Sequence, residues 1–187
     1  MKKIMEMLQN MKAKNEKKDN KGFSLVELII VIAIMAILVG IVGTQVLPYI
    51  NKSKEAKDFQ IINSYCTAAA TAYSTYAEKI TTTDSFDVDV YAAGLADDDT
   101  NKKPLKTLQD EIQTLTGYKQ LSDLTNKMGS KKGKQITKVV IQINPTTKDA
   151  TSGLKAKAGT IVTQAYYKGD GAAAKEEALF DPVVTQL

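Results

Sequence analysis

The chain contains no histidine and no arginine, and Cys66 is its only cysteine. A single cysteine rules out any disulfide within the chain, so a folded head must be held by packing and backbone hydrogen bonds. The missing histidine removes the commonest metal ligand and the commonest general base together. With no nucleophile–base constellation elsewhere, catalytic residues, a metal site and a cofactor are not expected. Charge of one sign is also scarce over most of the chain. Residues 1–22 hold seven lysines against Glu6, Glu16 and Asp19, whereas the remainder holds 18 lysines against 18 acids. The net charge of +4 therefore lies in the first segment. A nucleic-acid-binding domain needs a basic face on its folded part, and the balance argues against specific nucleic-acid binding.

What is present is a long apolar run. Leu28 to Gly43 has no polar or charged side chain, and the uncharged stretch reaches Asn51. Leu28–Pro48 spans roughly 31 Å as a helix, which matches a bilayer's hydrocarbon core. A lysine-rich segment beside it reads as a cytoplasmic anchor by the positive-inside rule. A secretory signal peptide is the competing reading. Its apolar part should be shorter and end at a small-residue cleavage site. Here the run merges into an amphipathic pattern, which favours retention. Phe59, Ile62, Cys66, Ala69, Tyr73, Tyr76 and Ile80 recur at spacings of three and four. The pattern predicts one helix from about Phe23 to Glu78, hydrophobic all round at first and amphipathic later, about 80 Å long. Glu55 and Asp58 fall on or near the stripe and weaken it before Phe59. Pro48 is expected to kink or loosen the helix, and Thr81–Thr83 to end it.

The remainder reads as a small α+β head. Asp84–Thr100 is acidic and reads as an irregular, solvated loop. Its aspartates, Asp97–Asp99 included, lack EF-hand spacing. Pro104 opens a helix with Leu105, Leu108, Ile112 and Leu115 on one side. Leu121–Met128 is a second short helix, with Gly129 past its end. Gln135–Ile143, Gly159–Lys168, Glu177–Phe180 and Val183–Leu187 read as strands, predicting an antiparallel sheet of three or four. Lys131, Lys132 and Lys134 form a basic cluster, read as a solvated turn. Gly169-Asp170-Gly171 reads as a turn, and Cys66 as a buried packing residue. Tyr65, Tyr73 and Tyr76 are expected between helix and head.

The most specific block is Lys-Gly-Phe-Ser-Leu-Val-Glu, residues 21–27, followed at once by an unbroken apolar segment. It resembles the class III signal of type IV prepilins, pseudopilins and competence pseudopilins. The resemblance implies cleavage by a prepilin peptidase between Gly22 and Phe23, then N-methylation of Phe23. It also implies a filament-assembly role for Glu27, whose carboxylate would face the Phe23 amine of a neighbouring subunit. Domains follow as a cleaved leader over 1–22, a membrane and filament-core helix over 23–50, and the amphipathic half with the head over 51–187. Implied partners are further copies of the chain in a helical polymer, the peptidase, an assembly ATPase, a platform membrane protein and the membrane. The precursor would be single-pass with its leader in the cytoplasm, and the mature subunit would lie in an extracellular pilus. A pseudopilin of a secretion or DNA-uptake machine is the first alternative. A membrane-anchored receptor or enzyme is the remote one. Many pilins carry glycine at the position of Ala36 and proline at that of Thr44. Here Pro48 comes a turn later, and the C-terminal cysteine pair of many Gram-negative pilins is absent, as suits a Gram-positive pilin.

Overall fold

A computed structural model describes residues 3, 5–6, 23–80, 82–98, 103–145, 149–170 and 174–187. The rest of the expected leader, Gly22 included, and Thr81, Asp99 and Gly171 lie outside them. The chain divides into two compact units between Pro48 and Tyr49. The backbone is helical from Leu25 to Thr75. It comprises α1 (Leu25–Ile41), a π-helical turn over Val42–Val46 and α2 (Leu47–Thr75). At the π turn the Leu47 N–H donates to the Val42 carbonyl, five residues back. The Thr44 hydroxyl donates to the Gly40 carbonyl at 3.0 Å. Pro48 lies inside this continuous helix, where it removes one ladder hydrogen bond, and the π turn directly precedes it.

The α-helix stops at Thr75, three residues before the expected Glu78, and a 3-10 turn over Ala77–Lys79 follows. Thr71, Ser74 and Thr75 each turn a hydroxyl back to the carbonyl four residues earlier. Such bonds compete with the helical ladder and favour an early end. Ile80 is buried from beyond the helix, not along its stripe.

The second unit is an α+β head. Its sheet has five antiparallel strands in the order β1-β2-β3-β4, with β5 also paired to β3. The strands are β1 (Phe86–Asp89), β2 (Ile136–Asn144), β3 (Thr160–Lys168), β4 (Glu176–Ala178) and β5 (Val183–Gln186). The sheet therefore exceeds the expected three or four strands by β1, which lies in the segment read as an irregular acidic loop. Phe86 and Val88 face inward there while Asp87 stays exposed. The alternation was present in the sequence, but the flanking aspartates masked it. Two helices complete the head: α3 (Leu105–Thr116) and α4 (Leu121–Lys127). Leu108 and Ile112 of α3 are buried, but Leu115 is exposed, contrary to the expected stripe. Gln109 is buried in addition, because its amide donates to the carbonyls of Asp89 and Ala92. Pro104 offers no side-chain cap to α3. Asp97 supplies one from outside, accepting the N–H and hydroxyl of Thr107. Burial opposes ionisation of Asp97, but the Thr107 bonds outweigh it and hold the carboxyl below its usual range.

Ile62, Tyr65, Cys66, Ala69 and Ala72 of α2 enter a core shared with Val139, Ile141, Ile143 and Ile161 of the sheet. Small residues on this stripe let the helix approach the sheet closely. The Tyr65 ring stacks on Tyr118 at 6.3 Å. Its hydroxyl meets that of Tyr91, which donates onward to the Tyr118 carbonyl at 3.2 Å. Tyr73 and Tyr76 are half-buried against the same core. On the sheet's other face, Gln142 accepts the Ala156 N–H at 2.7 Å and donates to Asp87 and to the Ser152 carbonyl. Asn144 donates to the Ala156 carbonyl. These bonds latch the β2–β3 connection over the strands. Gly153 adopts φ +64 there, and a methyl at that position would overlap Gln142 and Asp87.

The least expected core residue is Asp58, only 1 % exposed. Its carboxylate accepts the N–H of Gly129 at 2.7 Å and of Ser130 at 2.9 Å. The Ser130 hydroxyl in turn accepts the Gly133 N–H at 2.9 Å. A residue that weakened the sequence stripe is thus the bond between α2 and the turn after α4. Asp58→Ala orphans two buried donors, so it should destabilise the head by about 3 kcal/mol. Asp58→Asn, which keeps one acceptor oxygen, should cost less, and Gly133→Ala should also destabilise by crowding the carboxylate. Urea unfolding followed by near-UV circular dichroism measures all three.

Alkaline pH should weaken the head through its tyrosines. Burial pushes the Tyr91 phenol up to about 12, despite a lowering hydrogen bond from Tyr65. Burial and the Tyr91 bond push Tyr65 further in the same direction. Both folded pKa values exceed the unfolded phenol value of about 10, so this stability is full below pH ~10. It is then lost as pH rises towards about 12. Tyr91→Phe should flatten this alkaline loss, read as urea midpoints across the same range.

Candidate functional site

The candidate site is the start of α1. Ser24 is the helix N-cap, with φ −62 and ψ 138. Glu27 stands at the third helical position, and its Oε2 accepts the Ser24 N–H at 2.9 Å. The Leu28 N–H returns to the Ser24 carbonyl at 3.1 Å. A carboxylate here satisfies one of the donors that every helix start leaves open and complements the positive end of the helix dipole. The sequence placed the helix start at about Phe23, but the reach of Glu27 back to Ser24 was missed. The spacing Ser-x-x-Glu is the signal that carries it.

Phe23 precedes the cap and is 85 % exposed. Gly22 lies outside the described residues, so the structure brings together Phe23, Ser24 and Glu27 only. Pro48 sits 21 residues beyond Glu27 and takes no part in this local arrangement. The other Glu27 oxygen, Oε1, has no hydrogen-bond partner among the described residues. Every side chain of α1 is exposed in the single subunit. The helix is long and apolar enough to cross a membrane. In lipid a lone carboxylate costs up to about 3 kcal/mol at the bilayer centre, and less towards the interface. A single backbone N–H offsets part of that, and a cation is the natural second partner. Among the described residues, no cluster of acids, cysteine or histidine is suited to hold a metal ion.

Residues 17–43 match the family model described as the prokaryotic N-terminal methylation motif. This is the class III signal of type IV pilin-like proteins. A long helix followed by a small antiparallel head is in keeping with it. No curated protein and no solved structure gives a significant match to the chain. The motif supports a type IV pilin-like or pseudopilin protein and implies processing by a prepilin peptidase. An apolar helix behind such a motif fits a membrane-anchored precursor.

The cap can be tested directly. In detergent micelles, Glu27→Leu should speed amide exchange at Ser24 about fivefold, the equivalent of ~1 kcal/mol for the lost bond. Glu27→Gln, which keeps an acceptor oxygen, should leave exchange near that of the unaltered chain. Nuclear magnetic resonance of the labelled full chain reads both.

Proposed function

We propose that the chain is a prepilin, cut between Gly22 and Phe23, methylated on Phe23 and polymerised into a type IV pilus. Its role is structural rather than catalytic. The observation that carries this reading is the block Lys21–Glu27 set against an unbroken apolar segment. Cleavage creates an amine on Phe23 where none existed. Among the described residues Glu27 has no cation beside it, and that amine, on a neighbouring subunit, supplies one. Both charges are costly in a low-dielectric filament core, and pairing relieves both. The pairing fixes the axial register, and proteolysis gates assembly. The apolar helices bundle inside the filament, and the heads coat it.

An assembly ATPase and a platform membrane protein are the partners such a polymer requires. The π turn before Pro48 is where we place the helix's loosening on assembly. The same motif fits a pseudopilin of a shorter filament. Long surface fibres containing the chain favour the pilus, and their absence from secreting or DNA-importing cells favours the pseudopilin.

Gly22→Leu should leave full-length precursor in the membrane. Mature protein beginning at Phe23 in that variant would refute the cut site. Glu27→Ala should be cleaved normally yet yield less than about a tenth of the sheared fibre, as expected for losing ~2 kcal/mol per subunit contact. Fibre purification followed by N-terminal mass spectrometry reports the cut, the methyl group and filament membership together.

A further inference from the structure

Beside the Asp58 clamp lies an open cleft of about 520 Å³. Asn51, Lys54 and Glu55 of α2 line one side. The turn Gly129–Ser130 and the lysines Lys131, Lys132 and Lys134 line the other. Four lysines thus face one glutamate. Two of them are engaged: Lys131 pairs with Asp170 at 2.6 Å, and Lys132 lies over the Tyr167 ring at 5.2 Å. Lys54 and Lys134 have no ion pair among the described residues. The volume suits a polar headgroup, and ammonium groups are point-charge partners for phosphate. Among the described residues no aromatic ring lines the cleft, which leaves it without a platform for stacked bases.

Its place along the chain decides the source of the phosphate. The last apolar residue of the uncharged run is Ile50; Asn51 follows, and Lys52 carries the first charge. Within α2, Lys54 is four residues past Ile50, about 6 Å along the helix axis. Tyr49 is 77 % exposed at the same level, as expected of an aromatic ring at a membrane interface. A helix that leaves the hydrocarbon at Ile50 carries this cleft at headgroup depth.

We propose that the lysine cleft holds the headgroup phosphate of an anionic phospholipid while the subunit is stored in the membrane. The inference rests on the membrane-anchored reading given above. It assigns Lys54 and Lys134 as the principal contacts, with Lys131 and Lys132 as flanking charge. Extraction into a filament would then require breaking these contacts, so lipid composition would tune release.

The test uses the full chain in maltoside micelles, which carry no phosphate. Short-chain phosphatidylglycerol is titrated in, and amide shifts are followed over Gly129–Lys134. Saturable shifts there are expected, with phosphatidylcholine weaker by about fivefold or more, as two lysines at ~1 kcal/mol each allow. The double variant Lys54→Gln, Lys134→Gln should lose about fivefold in apparent affinity. Lys119→Gln, an exposed lysine outside the cleft, should lose none. Equal affinity in the double variant, or an equal loss with Lys119→Gln, overturns the proposal. So does free glycerol phosphate binding as tightly as the lipid, which would make the ligand water-borne. A chain that stays soluble without detergent sinks the membrane reading itself. A micelle-bound chain with no shifts sinks only the lipid site.

Discussion

The helix that begins at Leu25 meets two different environments along one backbone. Its first half offers apolar side chains in every direction and leaves none of them buried within the subunit. Such a surface is tolerable only in lipid or among other copies of itself. In either setting every backbone polar group must be satisfied from within, and the α-helix does this except at its first turn. Glu27 and Ser24 close part of that gap. The carboxylate is therefore a local structural group in the single subunit. Under the proposed function it becomes an intersubunit group once a neighbour's Phe23 amine is free.

The second half of the same helix is a core element of the head. Ile62, Tyr65, Cys66, Ala69 and Ala72 place it against the sheet, and alanines allow the close approach. With no disulfide available, the attachment needs something directional as well. Asp58 supplies it by accepting two backbone donors from the turn after α4. Ser130 and Gly133 are shaped around that carboxylate, one by its backbone N–H and the other by its missing side chain. A buried charge held by two N–H groups is costly to break, because both donors and the acceptor are then left bare. The lysines of the same turn point outward into the cleft, so the clamp also positions the charged rim.

Much of the head was legible in the sequence because its patterns are local. The period of three and four in Leu105, Leu108 and Ile112 gave α3, and the β-branched runs gave β2 and β3. Where reading failed, a distant partner decided the outcome. Phe86 and Val88 alternate as a strand should, but the acidic residues between them read as a loop until β2 paired with them. Leu115 fits the helical stripe yet stays exposed, while Gln109 goes inside to hold carbonyls near the end of β1. Asp58 looked like a flaw in an amphipathic stripe, and it is the stripe's most specific contact.

The sequence alone determined the processing block and the membrane-length helix. Both follow from composition and spacing within a few dozen consecutive residues. The early helix end is local too, through the hydroxyls of Thr71, Ser74 and Thr75. Only the tertiary structure decided the sheet order, the place of β1 and the role of Asp58. The partners of that carboxylate lie 71 and 72 residues away. No periodicity spans such a distance. The pairing exists because folding removes water from a carboxylate and from two N–H groups at the same spot, and the carboxylate accepts both donors.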